Sequence, residues 1–165
     1  MKRRIRGAAL SRLAKDLDRG PELLVDERYD LVRRIGRGGM GEVFLARDRK
    51  LDRTVALKVL HVPGSRWRAR FEQEASLPAR LRHPAIVPIH DFGTFPDGRL
   101  YCTMEYVPGR TLSEWAKGLD LSRRVATLAA LCDAVAHAHE HGVLHRDLKP
   151  GNVLVDDYGH VYVLD

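Results

Sequence analysis

Apolar positions along this 165-residue chain follow two different rhythms. From Tyr29 onward they alternate with polar ones in short runs. YDLVRRI leads into the glycine-rich break GRGGMG, then EVFLARD, then a turn at Arg49–Arg53, then TVALKVL. Period-two runs punctuated by turn residues predict three antiparallel strands. His61 to Ser65, with Pro63 and Gly64, is a loop. Beyond it the spacing becomes helical from about Arg66 to Leu81, with Ser65 as the cap and Pro84 marking the end. IVPIHDFG and RLYCTMEYV predict two more strands around the turn FPDG. PGRTLSEWAKG, residues 108–118, predicts a short helix after a loop. Ser122 to His141 predicts a long one, closed by Gly142. NVLVDD and Val161 to Leu164 are again strand-like. Ahead of all this, Ile5, Ala9, Leu13 and Leu17 recur every four residues among basic side chains. That spacing predicts a short amphipathic helix ending near Arg19-Gly20-Pro21.

Charge sharpens the division. The net charge is +6, and residues 1–20 contain seven basic groups against Asp16 and Asp18. The basic excess therefore belongs to the leader, and the body is close to neutral. Nucleic-acid binding is not expected of such a body. The leader either contacts an acidic surface or membrane, or is a solvated tail. No apolar run after its charges has the length of a secretory signal, and no stretch is apolar enough to span a membrane. Cys102 and Cys132 lack metal-ligand or redox spacing, so both are expected as buried small apolar groups in a reducing, cytoplasmic setting.

Two places carry chemistry. Gly36, Gly38 and Gly41 have the spacing G-x-G-x-x-G. In a dinucleotide fold such glycines lead from a strand into a helix; here they lead into another strand. That context favours a flap whose backbone N–H groups close over phosphates. Lys58 is the single charge in the apolar run Val55–Leu60. An ammonium there either snorkels to water or needs a partner. Phe71, Glu74, Leu77, Pro78 and Leu81 share one helical face, so Glu74 is a carboxylate on an apolar stripe and the candidate partner. Pro78, four residues on, predicts a kink in that helix.

The second place is HRDLKPGN, His145 to Asn152. Asp147 and Asn152 bracket Lys149 on a loop fixed by Pro150. A carboxylate, an ammonium and a carboxamide near one point can orient a hydroxyl, neutralise a transferring phosphoryl group and hold a metal ion. Asp165 adds a carboxylate at the end of the last strand-like run. Asn152 and Asp165 are hard oxygen donors suited to Mg²⁺. His137, His139, His141 and His145 have no carboxylate or cysteine completing a recognisable ligand pattern.

Together these segments resemble a eukaryotic-type protein kinase of the Ser/Thr group found in bacteria. The matching pieces are IGRGGMGEV, VALKVL, FEQEA, LRHPAIVPIHDFG, YCTMEYVPG, HGVLHRDLKPGNVLV and VYVLD, in the family's order over roughly residues 29–165. The resemblance implies an α+β, kinase-like two-lobe fold. A complete five-stranded antiparallel N-lobe with its C helix would be followed by only the first part of the helical C-lobe. It divides the chain into a basic leader, 1–28, the N-lobe and hinge, 29–107, and a partial C-lobe, 108–165.

It also implies ATP and Mg²⁺ as ligands and a Ser/Thr-bearing protein as substrate. Gly36, Arg37, Gly38, Gly39, Met40, Gly41, Glu42 and Val43 would form the phosphate flap, entered through Ile35. Lys58 would contact the α- and β-phosphates and pair with Glu74. Ala56 and Leu154 would join the nucleotide site, with Met104 as gatekeeper and Glu105 to Val107 as hinge. Asp147 would be the catalytic base, Lys149 a γ-phosphate contact, and Asn152 and Asp165 the Mg²⁺ ligands. Arg146 before Asp147 resembles kinases regulated by activation-loop phosphorylation.

The family's catalytic domain continues beyond its matching aspartate, here Asp165. The resemblance thus implies a chain cut short, naturally or by an incomplete gene. The helix Ser122–His141 is apolar nearly all round, as a buried helix is. With so little chain to cover it, an exposed apolar patch and a partner to cover it are expected. Two readings follow: a Ser/Thr kinase, or a non-catalytic nucleotide- or protein-binding module, with an inactive gene fragment as the blandest case.

Overall fold

The computed structural model describes residues 28–39, 41–61 and 81–164. The basic leader helix, the helix expected over 66–81 with Glu74 and Pro78, Met40 and Asp165 lie outside the described residues.

Five strands form one antiparallel sheet: β1 (Tyr29–Gly38), β2 (Gly41–Asp48), β3 (Arg53–Leu60), β4 (Ile89–Thr94) and β5 (Leu100–Glu105), in the order β1-β2-β3-β5-β4. Alternation sorts their side chains. On one face Tyr29, Phe44, Ala46, Val55, Leu57, Val59, Phe95 and Tyr101 make a buried core. On the other, Ala56, Cys102 and Met104 are buried with Val87. Two boundaries differ from the sequence expectation. β1 continues through Gly36 to Gly38 because β2 supplies partners there, Gly36 to Val43, Arg37 to Glu42 and Gly38 to Gly41. β4 begins at Ile89, not Ile86. Pro88 has no N–H to continue a ladder, and Ile86 instead bridges in parallel to Val163 in the second sheet.

One buried charge holds the first sheet's edge. Asp48 is fully buried at the end of β2. It accepts from Arg28 Nη2 at 3.0 Å and Nε at 3.3 Å, and from the turn N–H groups of Lys50 at 3.0 Å and Leu51 at 3.3 Å. Arg28 also donates to Asp91 on β4. The Arg28 guanidinium holds the Asp48 carboxyl below the usual carboxylate range, against the opposing effect of burial.

The second part is built on a three-stranded antiparallel sheet, β6 (Arg110–Thr111), β7 (Val153–Val155) and β8 (Val161–Val163). The short helix α1 (Leu112–Trp115) starts with a capping box. The Glu114 N–H donates to Thr111 Oγ1 at 3.3 Å, and the Thr111 N–H to Glu114 Oε2 at 2.9 Å. The long helix α2 (Leu121–Glu140) is capped by Asp120, which accepts from the Arg123 N–H at 2.8 Å. Leu131 and Ala134 of α2 pack on Val153, Val161 and Val163. Val135 packs beside them, but the N-terminal half of the helix leaves apolar side chains open: Leu121 is 76% exposed, Val125 57% and Leu128 57%. Cys132 corrects an expectation. Cys102 is buried, but Cys132 is exposed, because it lies off the narrow stripe that meets the sheet.

Main chain ties the second sheet to the segments that lead into β6 and β4. A methyl group at Gly109, just before β6, would lie 2.7 Å from the Val155 carbonyl oxygen, so no side chain fits there without displacing β7. Just ahead of β4, the segment with Ala85 and Val87 joins β8: Val163 N–H donates to the Ala85 carbonyl at 2.8 Å and Val87 N–H to the Val163 carbonyl at 3.0 Å.

Candidate active site

The loop His145–Asn152 is built around a tight reversal. Arg146 has φ +60°, the left-handed region that non-glycine residues seldom occupy. The Asp147 N–H donates to the His145 carbonyl at 2.7 Å, spanning just that one residue. This turn presents the Asp147 side chain to Lys149 and Asn152. Lys149 Nζ donates to Asp147 Oδ2 at 2.6 Å. Asn152 Nδ2 donates to the same oxygen at 3.1 Å and to the Asp147 carbonyl at 2.9 Å. Pro150 opens a single 3₁₀ turn, closed by the Asn152 N–H on the Lys149 carbonyl at 2.9 Å. The Asn152 carbonyl then accepts from the Leu164 N–H at 2.9 Å. The loop is thereby tied to the residue before Asp165.

Electrostatics follow from these contacts. The Lys149 ammonium, and then the Asn152 amide, hold the Asp147 carboxyl below the usual carboxylate range. At neutral pH it is ionised and accepts hydrogen bonds only.

Sheet register brings together the residues expected on the nucleotide side. Val43, Lys58 and Cys102 are direct cross-strand partners on β2, β3 and β5, and Ala56 is the partner of Met104. Cross-strand partners share a face, so Val43, Ala56, Lys58 and Met104 form one patch. Lys58 is half-buried there. Val107 packs against the same cluster of Ala56, Val87, Cys102 and Met104. Leu154 is half-buried on β7, opposite Tyr162 of β8. Ile35 is exposed on β1, and Gly36 lies against Val43. Arg37, Gly38 and Gly39 are exposed at the tip. Gly41 is where the strand pair is tightest: a methyl group there would lie 2.0 Å from the Val59 carbonyl oxygen.

Two side chains of the expected site turn elsewhere. Glu42 is buried, accepting from Arg34 Nη1 at 3.0 Å with Arg37 Nε at 3.8 Å, and it alternates with Val43. Its carboxylate faces away from the Lys58 patch. Glu105 bonds outward to His90 Nε2 at 3.0 Å, while its N–H donates to the Pro88 carbonyl at 3.0 Å. Two residues that sequence reasoning did not single out, Tyr162 and Leu164, also pack against the Ala56–Met104 cluster. The alternation in VYVLD was the available signal, since it separates them from Val161 and Val163.

Residues 29–165 match the protein kinase domain. The chain is 41% identical over 147 residues to the serine/threonine-protein kinase PrkC of Bacillus subtilis, covering 86% of this chain and 22% of that protein. It is 42% identical over 150 residues to the serine/threonine-protein kinase PknB of Mycolicibacterium smegmatis, covering 86% of this chain and 24% of that one. The crystal structure of the Mycobacterium tuberculosis PknI kinase domain superposes with a TM-score of 0.71 at 33% identity, over 86% of this chain and 60% of that one. The chain thus spans about a quarter of the length of these curated relatives. By its match over residues 29–165, by these relatives and by its five-stranded sheet joined to the beginning of a helical lobe, the chain belongs to the protein kinase family, in the eukaryotic-type serine/threonine group found in bacteria.

Proposed function

We propose that this chain supplies the nucleotide-binding and catalytic-loop part of an ATP-dependent protein Ser/Thr kinase. Residues 29–107 serve as N-lobe and hinge and 108–165 as the start of the C-lobe, with 1–28 as a leader. The observation that carries the reading is the set Asp147, Lys149 and Asn152, joined by hydrogen bonds of 2.6 and 3.1 Å on one carboxylate oxygen. An ionised carboxylate held in that way orients a hydroxyl and takes its proton as the oxygen attacks the γ-phosphorus. The bond from that phosphorus to the β–γ bridging oxygen breaks, and ADP leaves. Lys149 then balances charge on the transferring group, and Lys58 balances it on the α- and β-phosphates.

Gly36 to Val43 cover the phosphates through backbone N–H groups, Glu42 with its side chain turned away. Ala56, Met104, Val107 and Leu154 take the base, and Glu105 takes part through its main chain. Asn152 fits a hard cation: its amide nitrogen is committed to Asp147, leaving the amide oxygen as the donor. Asn152 and Asp165 would hold Mg²⁺, which neutralises phosphate charge when bound. Glu74 would fix Lys58. Among the described residues no helix is long and apolar enough to cross a membrane, and we assign the activity to the cytoplasm, where ATP is abundant. The exposed apolar surface of α2 supports a second reading, a module that binds a partner there without turnover.

Mg²⁺-ATP binding and phosphotransfer to a Ser/Thr protein substrate, measured beside Lys58→Met and Asp147→Asn, test the proposal. Turnover abolished by Asp147→Asn with nucleotide binding kept is the expected result. Binding that is lost in Lys58→Met, with no turnover in the parent, would favour the non-catalytic module.

A further inference from the structure

β7 and β8 have two working faces. Val153, Val155, Val161 and Val163 are buried on the side that meets α2. Leu154, Tyr162 and Leu164 alternate with them and are half-buried on the other side. Tyr162 and Leu164 pack against Ala56, Val87, Cys102 and Met104, the same cluster that receives Val43 and Val107. Tyr162 is therefore the one aromatic that β7–β8 contributes to the surface proposed above for the base.

Its ring is held in place by its tip. The phenol donates to Asp156 Oδ2 at 3.2 Å. Asp156 is itself fixed by the N–H groups of Tyr158 and His160, each at 2.9 Å, and by His160 Nδ1 at 2.9 Å. Burial pushes the Tyr162 phenol up, and so does the Asp156 carboxylate, so it remains a neutral donor around neutral pH. A tyrosine has only two side-chain torsions, and packing at one end with a hydrogen bond at the other restrains both. A leucine filling the same space would have no such anchor.

We infer that Tyr162 is a specificity-determining residue, whose pinned ring forms a rigid wall of the nucleotide pocket and favours a purine over a pyrimidine base. A two-ring base presents more flat apolar surface to that wall than a one-ring base does, and aromatic contact depends on such overlap. The inference rests on the reading of this cleft as the ATP site. A tyrosine that only filled space between the sheets would affect both nucleotides alike when replaced.

The experiment is competition of MgATP and MgCTP against a fluorescent adenine nucleotide, in the full-length protein. The wild type, Tyr162→Phe, Tyr162→Leu, Tyr162→Ala and Lys58→Met are compared. The quantity read is the ratio of the two affinities. Tyr162→Leu and Tyr162→Ala are expected to lower the preference for MgATP about fivefold, with Tyr162→Phe, which keeps the ring but loses its anchor on Asp156, between them and the wild type. Lys58→Met is expected to weaken both nucleotides and leave the ratio alone. Tyr162→Leu retains apolar volume, so it reports even where Tyr162→Ala does not fold. An unchanged ratio in Tyr162→Leu, with Lys58→Met weakening both, overturns the role of Tyr162 alone. A wild type that binds no nucleotide overturns the ATP reading, and this inference with it.

Discussion

Lys149 affects Asp147 in two ways, and they can be separated by pH. It orients the carboxylate at 2.6 Å, and it keeps that group ionised further into acid. Activity that depends on the ionised form is therefore held as pH falls, until it passes the depressed value. In Lys149→Ala the acid limb of the kcat/KM profile should move to higher pH, toward the ordinary carboxylate range. The plateau should fall by about 10²-fold or more, as for loss of one charge-stabilising donor. An acid limb that stays in place would mean that Asp147 does not set it. At this scale Asp147, Lys149 and Asn152 were legible in the sequence because they lie within six positions of one another. Asp48 was not, although its signal was present. It continues the inward stripe Phe44, Ala46, as a carboxylate where an apolar side chain belongs. Its partner Arg28 lies 20 positions away and falls outside the strand pattern, so nothing local marked the pair.

Strand pairing and helix faces raise a different question, that of what keeps each element in place. Arg28 joins the start of β1 to the end of β2 through Asp48 and to β4 through Asp91, at the sheet end remote from Gly38 and Gly41. Replacing Asp48 with Ala leaves a guanidinium without its buried counter-charge and frees two turn N–H groups. Unfolding by urea should show a loss of about 3 kcal/mol. The sign with pH is fixed by the depressed carboxyl. Its stabilising share is present above the ordinary carboxylate range and is lost as pH falls through the lower, folded value. The wild type should thus lose its advantage over Asp48→Ala in acid, and equal differences at pH 7 and pH 2 would contradict the assignment. Most strands were readable as runs of alternating character. β4 was read too long because Pro88 was weighed as part of a strand rather than as its stop. β6 has two residues and exists by pairing with β7, a partner more than forty positions away, which no local pattern reports.

For the whole molecule, the arrangement of two sheets with α2 against the second follows the family resemblance. The surface that results could be anticipated from composition. A helix with alanine, leucine and valine on several faces needs cover. Leu121, Val125 and Leu128 stand 76%, 57% and 57% exposed. Residues 1–165 expressed alone should bind ANS. The triple change of Leu121, Val125 and Leu128 to Lys should reduce that signal and any self-association while leaving helical circular dichroism unchanged. Strong ANS binding that persists in the triple variant would place the patch elsewhere. What the sequence did not reveal is which stripe of α2 meets β8, and Cys132 was misplaced for that reason. The contact of Gly109 with the Val155 carbonyl has a consequence of another kind. It leaves the backbone entering β6 seated directly on the backbone of β7, with no side chain between them. One methyl group at position 109 would act as a wedge there and force apart the pairing of Arg110 with Val155.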